Sequence, residues 1–207
     1  MVKQERAART REALVRSAAE SFAGQGFATA SLAVISAGAG VSSGALHFHF
    51  AGKAELADAV EESAADTLRV LTGRVAGEEA GPLQHLIDVT HRLAGRLRED
   101  VVLRAGFRLG GDMTRVPCAD LRALWQGWVG EAVHLAGRGG ELRRGVAPAG
   151  VVSAVVAATV GFEVLGARDT AWLSRPVIAQ FWRLLLPTLA PVALHAALDT
   201  AGTTPRP

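Results

Sequence analysis

The sequence has few of the residues on which β-proteins and secreted proteins depend. It contains no tyrosine and a single cysteine, Cys118, among 207 residues. One cysteine cannot form an intrachain disulfide, so a reducing compartment is expected. Period-two alternation is rare and no Asn-Gly or Asp-Gly hairpin occurs, which disfavours a β-sheet.

Long apolar runs are also missing. The first residues, MVKQERAARTRE, lack the apolar stretch of a signal peptide. The weakly polar run 147–162 is short for a bilayer span, is interrupted by Ser153 and Thr159, and is followed by Glu163. We therefore expect a helix buried in protein, and no membrane partner.

Charge is unevenly distributed, although the net charge is only +2. Residues 1–53 contain six basic and three acidic residues, whereas the remainder contains 16 basic and 17 acidic residues. An N-terminal excess of positive charge favours contact with a polyanion such as DNA. A solvated, helix-favouring surface would give the same excess, so charge alone leaves both interpretations open.

Helical spacing is found throughout, and it predicts an all-α protein. Leu14, Ala18 and Phe22 form an apolar stripe on a first helix that ends near Gly24. Further helices are predicted over 53–72, 83–99, 101–109, 120–138, 148–166, and from 174 to a bend or break at Pro187 and Pro191. The expected domains are 1–55, 56–199 and a disordered tail over 200–207, with the natural division within or after the helix 53–72.

The most informative segment covers residues 31–53. Ser31 and Ser42 are predicted N-caps of two short helices, 32–39 and 43–48, joined by a tight turn at Gly40. This arrangement is typical of a helix-turn-helix, whose second helix enters the major groove by its N-terminal residues. Five apolar residues are expected to pack the pair against the first helix: Val34, Ile35, Val41, Leu46 and Phe50.

The run AGVSSGALHFHF at residues 39–50, with Lys53 and Leu56, resembles the tetracycline-repressor family of bacterial regulators. The resemblance implies an all-helical homodimer with an N-terminal three-helix helix-turn-helix head. It also implies a C-terminal helical domain for ligand binding and dimerisation, with the dimer interface on the last two long helices. The implied phosphate contacts are Ser31, Ser42, His47, His49 and Lys53, and the residues that approach the bases are Ser43 and Gly44. The family often has tyrosine where His47 stands, and related regulators often have lysine at the position of Ser43.

A broader similarity is carried by GALHFHF at 44–50, VLRAGFRL at 102–109 and Trp125. It resembles the γ-butyrolactone receptors of antibiotic-producing actinomycetes, in which the tryptophan aligned with Trp125 lines the ligand pocket. The basic pI of about 9.3 is typical of the related pseudo-receptors, which respond to antibiotics or their intermediates. The candidate ligand-binding residues are Trp125, Trp128, Leu86, Val89, Phe107, Thr159, Phe162 and Glu163.

Together these patterns predict a ligand-responsive transcriptional repressor that binds a palindromic double-stranded operator as a homodimer. A small signalling molecule, butyrolactone-like or antibiotic-like, would release it, and the regulated process would be secondary metabolism. The protein would be cytoplasmic and nucleoid-associated. We expect no catalytic residue, no cofactor and no metal ion.

The same motifs also have other interpretations. Residues 40–44 read G-x-S-x-G, but the nucleophile elbow of hydrolases needs a preceding strand, and a helix is predicted there. His47 and His49 lie two apart on a helix and do not face one another as metal ligands would. Asp88 and His91 lie three positions apart on one predicted helix, so they are interpreted either as facing a pocket or as a solvated polar pair. A helical small-molecule enzyme and a helical dimer that does not bind DNA stay open as alternatives.

Overall fold

The computed structural model describes residues 2–73 and 80–203, which form nine α-helices and no strand. The all-α prediction is therefore confirmed. The helices are α1 Val2–Gln25, α2 Leu32–Gly38, α3 Ser43–His49, α4 Lys53–Thr72, α5 Pro82–Glu99, α6 Val101–Leu109, α7 Leu121–Arg138, α8 Pro148–Gly166 and α9 Arg175–Leu189. Short 3-10 helices, Thr170–Leu173 and Val192–Leu194, flank α9.

The described residues pack into two compact units. The first contains residues 2–68 and 100–122, and the second contains 69–73, 80–99 and 123–203. The division falls inside α4 rather than at residue 55, because the first half of α4 contributes Leu56 and Val60 to the core of the first unit. Helix α6 also belongs to the first unit, although it follows α5 of the second.

The core of the first unit joins α1, α2 and α3. Leu14, Phe22, Ile35, Leu46 and Phe50 are at most 2% exposed and belong to one apolar cluster. The expectation that Val34 packs there is wrong, since its side chain is 58% exposed. Each helical residue turns by about 100°, so a helix that buries Ile35 and Ser36 directs the preceding side chain away from the core.

The second unit is built around tryptophans. Trp125 of α7 and Trp182 of α9 are 1% and 0% exposed, and α5 contributes buried residues over most of its length. Helix α8 was expected to be buried, but only Val151, Val155, Thr159 and Gly166 of its 19 residues are buried within one chain. By length and composition alone α8 could cross a membrane, which for a single helix is weak evidence.

Two expectations for the C-terminal end need correction. Helix α9 is not broken at Pro187, because a proline in the last turn of a helix disrupts few hydrogen bonds, but it ends at Leu189, just before Pro191, as expected. The tail expected to be disordered from residue 200 is ordered as far as Thr203. The backbone N–H of Thr203 donates to Asp88 Oδ1 at 2.7 Å, and its hydroxyl donates to Asp88 Oδ2 at 2.5 Å. Residues 204–207 lie outside the described residues.

Candidate DNA-binding surface and ligand pocket

The turn between α2 and α3 is fixed by local backbone chemistry. Gly40 has a φ of +68°, a left-handed conformation that glycine adopts without a steric cost. The N–H of Val41 returns to the carbonyl of Ser36 at 3.0 Å, which ends α2. The hydroxyl of Ser42 then accepts from Ala45 N at 3.1 Å and caps α3, as predicted. Ser31 occupies the N-cap position of α2 but makes no capping hydrogen bond with its side chain.

The candidate DNA-contacting residues lie in α3 and beside the starts of α2 and α4. Ser31, Ser42, Ser43, Gly44 and His47 are exposed, whereas His49 and Lys53 are half-buried. A Cβ atom placed on Gly44 would meet only Ser42 Oγ, at 3.9 Å. The first turn of α3 therefore presents hydroxyls and backbone without a large side chain in front of them.

Lys53 has internal partners that the sequence did not reveal. Its ammonium donates to the carbonyl oxygens of Ala28 at 3.0 Å and Ala30 at 3.1 Å, just before α2. The same Nζ lies 4.8 Å from the ring centroid of Phe27, within the range of a cation–π interaction. Lys53 thus ties the start of α4 to the loop between α1 and α2, and one of its three N–H groups is left for another acceptor.

Phe27 is shared with a second cation. The guanidinium of Arg115 lies 5.5 Å from the same ring centroid. Its Nη1 donates to Glu61 Oε1 and its Nη2 to Asp58 Oδ1, both carboxylates being on α4. Glu61 is fully buried and also accepts from the backbone N–H of Cys118 at 2.8 Å. The pair therefore fixes the segment after α6 to α4 within the first unit.

The cluster around Glu61 includes three groups able to ligate a metal ion. Oxygen atoms of Asp58 and Glu61 and the thiol of Cys118 lie within 4.8 Å of one another. Arg115 already donates to both carboxylates, so a bound cation would face a neighbouring guanidinium. Cys118 is exposed as a residue, but desolvation of its thiol raises the pKa to about 12, and the hydrogen bond and negative charge of Glu61 add to this shift. The three groups are thus already partnered by Arg115 and by one another.

The structure brings several ligand candidates together in the second unit. Trp125 and Trp128 stack with ring centroids 5.2 Å apart and an interplanar angle of 25°. The indole N–H of Trp125 donates to Thr159 Oγ1 at 2.7 Å, and that hydroxyl donates to Val155 O at 2.8 Å. Other candidates in this unit are Leu86 and Val89, fully buried in α5, and Phe162 and Glu163, half-buried in α8. Phe107 is also buried, but it belongs to the first unit.

Little empty space lies beside Thr159. The cavity that it lines with Phe162 has a volume of about 10 Å³, and apart from Thr90 its other lining residues are apolar. Drug-sized ligand sites usually measure about 300–1,000 Å³. A ligand that reached Trp125 here would have to displace side chains and break the bond between Trp125 and Thr159.

Sequence reasoning missed three residues at these sites. Phe48 projects from α3 and is 81% exposed, beside the ring of His49 at 5.2 Å. Helical periodicity in the sequence indicates this exposure, because Leu46 and Phe50 are four apart on the core face of α3 and Phe48 lies about 200° around the helix from each. Arg11 covers the ring of Phe50 at 5.2 Å. Trp182 donates its indole N–H to Thr90 Oγ1 at 2.7 Å, a second buried indole–threonine pair.

Residues 14–60 match the family model for bacterial regulatory proteins of the tetR family. They cover the second half of α1, all of α2 and α3, and the start of α4, a segment that contains the helix-turn-helix described above. Residues 14–60 therefore form a tetR-type helix-turn-helix domain. The family model ends at residue 60, whereas similarity to longer relatives continues over nearly the whole chain.

Longer relatives match nearly the whole chain. It is 29% identical over 208 residues to the A-factor receptor protein of Streptomyces griseus, covering 98% of this chain and 71% of that protein. A crystal structure of a γ-butyrolactone receptor, described as ArpA-like, matches with a TM-score of 0.83 and 29% identity over 95% of this chain and 96% of that one. CprB from Streptomyces coelicolor, solved in complex with its biological operator sequence, matches with a TM-score of 0.79 and 29% identity, covering 93% and 94%.

Proposed function

We propose that this protein is a transcriptional repressor that binds a palindromic operator as a homodimer and leaves it when a small effector binds. The observation that carries the proposal is the exposed first turn of α3, where Ser42, Ser43 and Gly44 stand on a helix fixed by the core beneath it. Small residues there allow the backbone to approach base edges in the major groove, and hydroxyls suit phosphates. The related CprB has been solved in complex with its biological operator sequence, which supports operator binding by this chain.

Phosphate contacts are assigned to Ser31, Ser42, His47, His49 and Lys53, and base contacts to Ser43 and Gly44. Positive charge near this surface supports the assignment, since Arg6, Arg9 and Arg16 are exposed on α1. Phe48 joins the proposed set, because an exposed ring on α3 can meet the methyl group of thymine.

Dimerisation is assigned to the outward faces of α8 and α9. Val164 and Leu165 of α8 are 51% and 44% exposed, and Leu184 of α9 is 80% exposed. Apolar side chains concentrated on two helices are costly in water and mark an interface. A second copy would cover them in a self-complementary, two-fold arrangement. Two-fold symmetry places two copies of α3 about 34–36 Å apart on a palindromic site.

Release by effector requires a ligand that prefers one of two states. We assign effector binding to the surroundings of Trp125 and Thr159, where a ligand polar group would replace the hydroxyl that now accepts the indole N–H. Helix α4 has residues in both units, so a change in its position would alter the spacing of the two α3 helices. Related structures include one described as a basis for control of antibiotic production, which supports a role in secondary metabolism.

A gel shift with the DNA immediately upstream of this gene tests the proposal. Parent protein should form a specific complex that weakens steeply with salt. Ser43→Ala should lose preference for the operator over scrambled DNA, whereas Ser63→Ala, an exposed serine on α4, should bind like the parent. Absence of a specific complex here and in a genome-wide binding selection would reject DNA binding and favour a helical enzyme or a dimer of another function.

The dimer interface has its own test. Leu184→Glu should yield a monomer by analytical ultracentrifugation, because it buries a charge against the partner. Met113→Glu changes a residue that is 96% exposed in a loop of the first unit and should leave the dimer intact. If Leu184→Glu stayed dimeric at micromolar concentration, the interface would have to lie elsewhere.

A further inference from the structure

The second unit contains a cavity that the proposed function does not use. Its volume is about 280 Å³, and three guanidinium groups line it, from Arg92 and Arg98 of α5 and Arg175 of α9. His91 lies beside them. Burial lowers the pKa of His91, and the positive charge of Arg175 lowers it further, against a hydrogen bond with Thr200 that raises it. The lining of this cavity, hereafter the cationic cavity, thus contains three arginines and one carboxylate, that of Asp88.

The one carboxylate among the residues that line the cavity, that of Asp88, already accepts hydrogen bonds. Asp88 accepts from Gln84 Nε2 at 2.8 Å, and from the backbone N–H and hydroxyl of Thr203. These bonds hold the C-terminal segment 199–203 against α5, and Arg175 donates to the carbonyls of Ala201 and Gly202 in the same segment. The negative charge of Asp88 is thus directed at the segment that closes one side of the cavity.

The floor of the cationic cavity is apolar. Ala94, Leu173 and Ile178 line it, and the same three residues line the small cavity that reaches Thr159 and Phe162. Leu173 and Ile178 are 3% and 1% exposed. These three side chains are therefore a wall shared by the cationic cavity and the small cavity lined by Thr159, whose hydroxyl accepts the indole N–H of Trp125.

We propose that the cationic cavity binds the anionic group of a small amphipathic effector, a carboxylate on a medium-length apolar chain. The carboxylate would pair with the arginines, which suit planar anions. The apolar chain would pass between Leu173 and Ile178 toward Thr159. The assignment of this molecule as the effector rests on the proposed function, whereas its binding does not require DNA.

Isothermal titration of the full-length protein with sodium octanoate tests the site, with γ-octalactone as the uncharged probe of equal carbon number. Octanoate should bind saturably, and the lactone at least about tenfold more weakly. Arg98→Glu should weaken octanoate binding about tenfold or more, and Arg98→Lys should largely restore it. Arg96→Glu, an exposed arginine of α5 outside the cavity, is the matched control and should bind like the parent.

The outcomes separate the two proposals. No saturable octanoate binding, equal binding of the lactone, or equal effects of Arg98→Glu and Arg96→Glu would overturn the inference, even if operator binding were found. Octanoate binding that depends on Arg98, with no operator complex in the gel shift, would support the site and reject the repressor. Octanoate binding that depends on Arg98 and dissociates an operator complex would support both.

Discussion

Replacing Arg115 by methionine should strongly destabilise the first unit. Methionine keeps most of the apolar stem but removes the guanidinium that donates to Glu61 and Asp58. Glu61 is 0% exposed and the side chain of Arg115 is 7% exposed, so the pair is buried from water. After the change, the donors left to the Glu61 carboxylate among the described residues would be uncharged, the backbone N–H and the thiol of Cys118.

The size of the effect follows from the burial of the pair. Removing one partner of a buried ion pair costs about 3–5 kcal/mol, because the other charge is left uncompensated. The bond to Asp58 adds little, since that side chain is 43% exposed and exposed pairs contribute about 0–1 kcal/mol. We therefore expect a loss of about 3–5 kcal/mol in the free energy of unfolding. The double variant Glu61→Leu/Arg115→Met should lose less than Arg115→Met alone, because no unpaired charge remains.

Urea unfolding followed by far-ultraviolet circular dichroism measures this loss. Protein concentration must be fixed across variants, because the stability of a dimer depends on it. Arg168→Met, at an exposed position of the second unit, should stay within about 0.5 kcal/mol of the parent. An Arg115→Met variant as stable as Arg168→Met, or a double variant less stable than Arg115→Met, would refute the role given to the pair.

Three further predictions concern single groups. Thr159→Val should lower the free energy of unfolding by about 1–3 kcal/mol, since the buried indole N–H of Trp125 loses its acceptor. Thr159→Ser keeps a hydroxyl acceptor and should retain the parent's stability, as measured by thermal unfolding. The thiol of Cys118, with its pKa raised to about 12, should react with Ellman's reagent much more slowly at pH 8 in the folded protein than in urea; equal rates would contradict that pKa. Because burial lowers the pKa of His91 below 6.5, the unfolded chain takes up this proton first, so stability should fall as pH drops below about 6.5. His91→Gln should flatten the fall between pH 7 and 5, and an unchanged slope would count against it.

The parts of the fold that were predicted correctly depend on short-range signals. Ser42 caps α3 through a bond to Ala45, and Gly40 makes the turn before it, so a few neighbouring residues determine the helix-turn-helix. The stripe on α1 and the bounds of α6 and α8 follow from apolar periodicity and from Pro148 in the same way.

The features that were missed depend on long-range contacts. Glu61 and Arg115 are 54 positions apart, and Gln84 and Asp88 bond residues 115 positions away near the C-terminus. No local pattern near Thr203 indicates that Asp88 will hold it, so a polar C-terminal segment looks like a disordered tail. For the same reason the cationic cavity could not be predicted, since it joins arginines from α5 and α9.

Lys53 is the residue at which the sequence and the structure assign different roles, and operator binding can separate them. The resemblance assigns it to a phosphate, while the structure gives two of its three N–H groups to the carbonyls of Ala28 and Ala30. These roles are compatible, because the third N–H of Lys53 can still donate to a DNA phosphate.

If Lys53 does contact a phosphate, Lys53→Met should reduce the slope of log affinity against log salt by about 0.9 for each protomer, because each neutralised phosphate contributes about that much to the slope through counterion release. The weakening should be similar on the operator and on scrambled DNA, because phosphates are the same in both. A Lys53→Met variant that keeps the parent slope but unfolds at lower temperature would restrict Lys53 to the internal role, and the positive charge for DNA binding would then have to come from the arginines of α1.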